Sequence, residues 1–151
     1  MRYLHRATLH DQHLWSRGSS HGVAIEPFRM TTAPPKTVLV TDARLKQSLG
    51  IARSLGRRGY DIAAAGIASR CQTYHSKYCT HRIECTNPNQ DPEAYVRDLR
   101  DGIETHDVEV LLPCSDAAVV PIARHRELLD PVVGLPLPPS EVVLTAHEKG
   151  D

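Results

Sequence analysis

The sequence predicts an α/β protein with a mainly parallel sheet of about five strands and helices on both faces. Short runs rich in apolar and β-branched residues alternate with longer segments in which apolar residues recur every three or four positions. Such an alternation is typical of parallel sheets, because each helix carries the chain back to start the next strand. A chain of 151 residues is also long enough to bury one real core.

The first strand–helix–strand unit is predicted between residues 37 and 66. Residues 37–42 are apolar and β-branched, as in a strand that is covered on both faces. A helix follows and ends near Gly56 or Gly59. Its apolar stripe is predicted to be Leu45, Leu49, Ala52 and Leu55. Residues 60–66 complete the unit as a second strand.

The alternation resumes after an irregular stretch at residues 67–80. A short strand is expected over residues 82–85. Asp91 followed by Pro92 predicts a helix start, because the first residue caps the helix and the second suits its first turn. The buried stripe of this helix is predicted to be Tyr95, Leu99 and Ile103.

Two further helices and two further strands are predicted in the last third of the chain. Residues 108–112 form a strand, and Ser115 or Asp116 caps the helix after it. The inward residues of that helix are predicted to be Val119, Ile122, Ala123 and Leu129. Residues 132–137 are expected to form the last strand. A helix capped by Ser140 then runs over residues 141–151, with Val142, Val143 and Ala146 on one side.

The first 35 residues differ from the rest of the chain. They show no sustained period, and Gly18, Ser19, Ser20 and the prolines at 34–35 interrupt any element. We therefore predict a disordered leader over residues 1–35 and a folded domain over residues 36–151. Met30 stands just before the first predicted strand, so it is a candidate for the true start.

Charge and composition argue against several classes of partner. Lys plus Arg equals Asp plus Glu at 18 each, so no overall field attracts nucleic acid or an anionic membrane. No apolar run is long enough to span a bilayer, and a cytoplasmic location is the expectation. The four cysteines are too few and too scattered for a disulfide scaffold, so reduced thiols are expected.

The most promising positions for a binding site are the loops after two predicted strands. In parallel sheets, ligands bind beyond the carboxyl ends of the strands. The candidate residues are Thr41, Asp42, Ala43 and Arg44 after the first strand, and Cys114, Ser115 and Asp116 after the later one. If these strands are neighbours, the two loops share one cleft and can hold an anionic group. Taken singly, Asp42, Ser115 and Asp116 are more simply explained as helix caps.

Other kinds of site are disfavoured by the spacing. The turn after the first strand lacks the glycines of a dinucleotide fingerprint, and a phosphate-binding Walker loop is also missing. The four residues Cys71, His75, Cys79 and His81 lack the close cysteine pair that makes a zinc assignment strong. Cys114 is a candidate nucleophile, but a small buried thiol is the favoured interpretation.

Taken in order, these segments resemble the N-terminal domain of ATP-grasp enzymes, above all the carbamoyl-phosphate-synthase-like and carboxylate–amine ligase members. The resemblance rests on TVLVTDARLKQSLGIARSLGRRGYDIAAAG, SKYC, DPEAYVRDLRDGIE, VEVLLPCSDAAVVPIARHRELL and LPLPPSEVVLTAHEKG, which together cover most of residues 36–150. It implies a Rossmann-like domain that shapes the acceptor-substrate side through the loops at residues 41–44 and 113–116.

The resemblance also implies a chemistry. Enzymes of this family typically use ATP and magnesium to turn a carboxylate into an acyl phosphate, which an amine then attacks. The family commonly has an Asp-Lys pair at the exit of its first domain; here Lys149 matches the ATP-contacting lysine, and Glu148 departs from the usual Asp. The expected substrate is a small carboxylate or an amino-acid-like molecule.

The resemblance leaves three roles open. The magnesium-binding carboxylates of the family have no counterpart in these 151 residues, so we expect no catalysis by this chain alone. ATP and magnesium would be held by ATP-grasp domains supplied in cis or by a partner chain. One alternative is a stand-alone binding module for a small anion or nucleotide. Another is a regulatory subunit that docks through Val142, Val143 and Leu144, for instance as a homodimer.

Overall fold

The computed structural model describes residues 37–150 and confirms an α/β fold built on a parallel sheet. The predicted disordered leader over residues 1–35 and the candidate start at Met30 lie outside the described residues. Strands and helices alternate as follows: β1 Thr37–Val40, α1 Lys46–Gly56, β2 Asp61–Gly66, β3 Cys79–Glu84, α2 Pro92–Thr105, β4 Val110–Leu112, α3 Asp116–Arg124 and α4 Ser140–Glu148. Two 3-10 helices, Gln72–His75 and Arg126–Leu128, lie between them.

The four strands are arranged in the order β3-β2-β1-β4 and all neighbours are parallel. Leu39 of β1 pairs with Ala63 of β2 on one side and with Leu111 of β4 on the other. The chain therefore moves from β1 toward one edge through β2 and β3, and then crosses over to β4 on the other side of β1. This reversal makes the junction of β1 and β4 a topological switch point.

Helices cover both faces of the sheet, as predicted. Side chains alternate between the two faces of a strand, so neighbouring residues of β1 enter different cores. Leu39 belongs to the larger core, which includes Leu99 of α2 and Ile122 of α3. Val38 and Val40 belong to a second core with Ala52 of α1. Because both faces are buried, β1 has the uninterrupted apolar sequence that predicted it.

Within residues 37–150 the sheet has four strands, one fewer than the approximately five predicted, because the last predicted strand does not form. Residues 132–137 form a single parallel bridge, between Val110 and Gly134, and no longer ladder. Pro136 and Pro138 have no backbone N–H to donate, so they cannot continue the pairing. The segment still packs apolar side chains against the larger core.

The helix starts are a mixture of confirmed and wrong predictions. Asp91 caps α2 by accepting from the Ala94 N–H at 2.9 Å, and Ser115 caps α3 by accepting from the Ala118 N–H at 3.3 Å. The expectation that Asp42 caps α1 is wrong, because that helix starts four residues later with no side-chain cap. Ser140 is likewise the first residue of α4 rather than its cap.

Two predicted apolar stripes are corrected. On α1 the fully buried residues are Ser48 and Ala52, while Leu45 and Leu49 are only half-buried. The helix after β4 ends at Arg124, so Leu129 enters the core from beyond the following 3-10 turn.

Among residues 37–150, every helix is too short or too polar to reach across a bilayer.

Candidate functional site

The two candidate loops meet at one rim of the sheet, beyond the carboxyl ends of β1 and β4. The Thr41 N–H donates to the Leu112 carbonyl at 3.2 Å, which continues the pairing of the two strands. The Cys114 N–H then donates to Thr41 Oγ1 at 3.0 Å. Thr41 is fully buried, so its hydroxyl is a fixed link between segments 73 residues apart in the chain.

Asp42 sits at this link in an uncommon backbone conformation. Its φ is 54°, in the left-handed region that residues with a Cβ seldom adopt. The Thr41 hydroxyl donates to Asp42 Oδ2 at 2.6 Å, and the Leu45 N–H donates to the Asp42 carbonyl at 2.8 Å, closing a turn. Residues held in such conformations concentrate at binding and active sites.

Ser48 of α1 holds the loop after β1 in place through a hydrogen bond to its backbone. Its hydroxyl is buried and donates to the Thr41 carbonyl at 2.8 Å. A buried carbonyl without a partner costs free energy, so this hydrogen bond explains a polar residue on the inner face of α1. The loop is therefore tied to β4 through the Thr41 side chain and to α1 through its carbonyl.

A cavity of about 140 Å³ opens beside Asp42 at the same rim. It lies between the loops that follow β1 and β2 and the loop that precedes α2. Most of its lining is small and apolar, with a few polar groups at its edge, as is usual for small-molecule sites. The lining residues are Asp42, Ala43, Arg44, Leu45, Ala65, Gly66, Ile67, Asn87, Pro88, Asn89, Tyr95 and Ala117.

The predicted site residues divide into three groups. Asp42, Ala43 and Arg44 line the cavity, whereas Thr41, Cys114 and Ser115 lie next to it and hold the two loops in place. Asp116 lines a second cleft of about 400 Å³. The two spaces share three lining residues, Pro88, Asn89 and Ala117, so they adjoin.

Tyr95 and the loop at residues 87–89 were missed as site residues. The sequence predicted Tyr95 only as part of the buried stripe of α2, and it is indeed 3% exposed, but its ring also lines the cavity. Burial raises the pKa of its phenol above the usual value, so the group is neutral. The available signal was an Asn-Pro-Asn turn directly after a strand of a parallel sheet.

Cys114 has the properties of a structural thiol. Burial raises the pKa of the thiol above its usual value, because water no longer stabilises the thiolate. Its Sγ lies 3.6 Å from the Leu112 carbonyl oxygen. The raised pKa argues against a nucleophile, but the side chain is only partly buried, so the predicted buried thiol is not observed.

The residues of the weak zinc pattern are dispersed. Cys71 is buried and lies 3.1 Å from the Ala68 carbonyl, while His81 stacks on the ring of His106 at 4.3 Å. Within residues 37–150, no three His, Cys, Asp or Glu side chains gather as metal ligands would.

Lys149 is not among the residues that line the two cavities. It is the exposed C-terminal cap residue of α4, a helix with no buried residue, and it lines neither the cavity beside Asp42 nor the adjoining cleft. His147, one turn earlier, does line the cleft.

Comparison with known proteins gives a fold relationship. No protein-family model matches the sequence, and no curated protein matches it. Fifteen chains of solved structures do match. One is glycinamide-RNase-transformylase T from Mycobacterium tuberculosis, with a TM-score of 0.52 and 17% sequence identity. The match covers 71% of this chain and 27% of that one, so this chain spans about a quarter of the neighbour's length. At this identity, the likeness shows a shared fold.

Proposed function

We propose that this chain is the substrate-side N-terminal domain of an ATP-grasp ligase-like protein. The supporting observation is the junction of β1 and β4, where the Cys114 N–H and Thr41 Oγ1 join two loops beside a cavity. The fold neighbour from M. tuberculosis belongs to the ATP-grasp family, in keeping with the resemblance in the sequence. In the complete enzyme, a carboxylate would be activated by ATP and then joined to a second substrate.

The role of this chain in that chemistry is to bind and orient. The cavity of about 140 Å³ is small for a whole ligand, but the adjoining cleft extends the available space. A small carboxylate or amino-acid-like molecule matches these dimensions. Arg44 offers a guanidinium for a carboxylate, and Asp42 offers an acceptor for an amine or hydroxyl group.

ATP and magnesium are assigned to other domains of the complete protein. Lys149 is exposed, and the magnesium-binding carboxylates are assigned to the ATP-grasp domains. Under this proposal Lys149 contacts the ATP phosphates only when the ATP-grasp domains stand beside it, in cis or on a partner chain. The isolated chain is then inactive.

Calorimetric titration of the chain separates this proposal from a stand-alone nucleotide-binding module. Under this proposal we expect no tight binding of ATP or ADP, with magnesium present, because the nucleotide is bound by the ATP-grasp domains and not by this chain. Tight ATP binding would favour the stand-alone module. Sequencing the DNA downstream of the Asp151 codon tests the arrangement in cis, for which an open frame encoding acidic, metal-binding strands is the expected result.

A further inference from the structure

The sheet has two edges, and the described residues cover only one of them. At the β4 edge, Gly134 accepts from the Leu111 N–H at 3.0 Å and donates to the Glu109 carbonyl at 2.8 Å. At the β3 edge, no residue between 37 and 150 forms a backbone hydrogen bond with the outward side of the strand. An open strand edge is a template for pairing with another chain.

The outward backbone groups belong to Arg82 and Glu84. The Cys85 N–H donates to the Gly66 carbonyl at 2.9 Å, so Cys85 faces β2. Because the backbone groups of successive residues in a strand point to opposite edges, those of Ile83 also face β2, and those of its two neighbours face outward.

The side chains of Arg82 and Glu84 carry opposite charges and are both exposed. They lie two residues apart, so they share one face of the strand. Neither forms a salt bridge with any other described residue. Arg82 is nevertheless held in place: its guanidinium donates to the Tyr74 carbonyl at 3.0 Å and lies 5.8 Å from the centre of the Tyr74 ring.

We propose that β3 pairs in antiparallel fashion with β3 of a second copy of this chain, with the two-fold axis at Ile83. In this register, Arg82 of each copy lies opposite Glu84 of the other. Each such pair exchanges both backbone hydrogen bonds of an antiparallel ladder and brings opposite charges together. The contact is isologous, as expected for a two-fold dimer, and extends the four-stranded sheet across both copies.

The charges of Arg82 and Glu84 favour a two-fold axis at Ile83 over an axis at either of the adjacent residues. An axis at Arg82 would place that residue opposite its own copy, and an axis at Glu84 would do the same for the carboxylate. Like charges directly opposite each other are destabilising. Exposed charges on an edge strand often serve to prevent pairing, but a pair of opposite sign, two residues apart, is complementary to itself.

Reversing the charges of Arg82 and Glu84, singly and together, tests the proposed pairing. Size-exclusion chromatography with light scattering, over a series of concentrations, should show a dimer for the native chain. Arg82→Glu and Glu84→Arg should each yield a monomer, because like charges then face each other. The double variant Arg82→Glu/Glu84→Arg should restore the dimer. Arg53→Glu, an exposed site on α1, makes the same change in net charge and should leave the dimer intact.

Hydrogen exchange gives a second readout that needs no variant. The amide protons of Arg82 and Glu84 should exchange more slowly as the protein concentration rises. A native chain that is monomeric at every concentration overturns the proposal. A dimer that persists in both single charge-reversal variants also overturns the proposal. A dimer that is lost in Val142→Asp overturns it too, because that result would place the interface at the exposed Val142 of α4.

Discussion

Thr41 and Thr73 are both fully buried, but within the described part of the chain only the Thr41 hydroxyl has a hydrogen-bond partner. Thr41 Oγ1 donates to Asp42 and accepts from the Cys114 N–H. Thr73 Oγ1 has no hydrogen-bond partner among residues 37–150. Replacing an unpaired buried hydroxyl by a methyl group of the same shape removes a desolvation cost, whereas removing a paired one leaves its partners unsatisfied.

The first prediction compares Thr73→Val with Thr41→Val. Thr73→Val should leave the free energy of unfolding unchanged or raise it by about 1 kcal/mol, and Thr41→Val should lower it by about 1 to 3 kcal/mol. Urea unfolding followed by circular dichroism measures both. Equal losses for the two variants would contradict the hydrogen-bond assignment.

Asp42 and Asp107 offer a second matched pair, because both have a positive φ, of 54° and 49°. Glycine adopts this conformation without the steric cost, so Asp107→Gly should stabilise the protein by up to about 1 kcal/mol. Asp42→Gly should raise the stability by a smaller amount, because the Thr41 hydroxyl then loses the carboxylate that accepts its hydrogen bond. Of the two, only Asp42→Gly should weaken the binding of a small ligand at the cavity. Thermal unfolding with and without ligand distinguishes these effects.

For single residues, the sequence predicted roles that depend on local contacts better than roles that depend on contacts between distant segments. The rules for capping identified Ser115 correctly, because a serine at that position needs only the next turn of its own helix. The same rules fail for Asp42, because its partner is the side chain of its neighbour and its helix starts later. The link from Thr41 to Cys114 depends on contacts 73 residues apart and has no local signal.

Among the helices, α2 approaches β3 closely because residue 102 is a glycine. A Cβ on Gly102 would lie 2.5 Å from Ile83 Cδ1 and 2.9 Å from its Cγ2. Gly102→Ala should therefore destabilise the protein by about 1 to 3 kcal/mol through overpacking. At Gly50, in the middle of α1, a Cβ would meet no atom within 4 Å from the described residues, apart from its chain neighbours and the backbone of its own helix. Gly50→Ala should stabilise by about 0.5 to 1 kcal/mol, and chemical denaturation measures both.

The partial burial of His106, at the end of α2, and its contact with His81 of β3 should make the free energy of unfolding depend on pH. Burial, and then the neighbouring His81, lower the pKa of His106 below its usual 6.5. The unfolded chain thus binds the proton more readily than the folded one. Stability is full above about pH 6.5 and falls as the pH drops through the unfolded value toward the lower folded one.

This dependence should be weaker in His106→Gln. Unfolding measured at several values between pH 5 and 8 should give a shallower loss on acidification than in the native chain. His147→Gln, on the exposed helix α4, controls for loss of an imidazole elsewhere. An unchanged slope in His106→Gln would show that other groups cause the loss.

Element existence was easier to predict than element ends. The Asp91–Pro92 start of α2 is confirmed, because the cap and the proline act within one turn. Residues 132–137 have the apolar composition of a strand, but Pro136 within them and Pro138 just after them cannot donate to a ladder. Ser48 disturbed the predicted stripe of α1, because it faces inward to bind the Thr41 carbonyl.

For the whole molecule, the strand order β3-β2-β1-β4 decides where a ligand can bind. Periodicity predicted the alternation of strands and helices, and hence a parallel sheet, but it could not choose the neighbours of β1. That choice depends on which faces pack together. The observed order brings the loops at residues 41–44 and 113–116 to one rim, the arrangement that the proposed function requires.

The proposal that this rim binds substrate, while ATP is bound elsewhere, is tested most directly by a chemical-shift map of the ¹⁵N-labelled chain. Titration with small carboxylates and amino acids should shift amide signals at residues 41–45, 65–67, 87–89 and 114–117, around the cavity and the Thr41–Cys114 link. Magnesium ATP should shift few signals and only weakly. Tight ATP shifts, or carboxylate and amino-acid shifts confined to another part of the chain, would contradict the account.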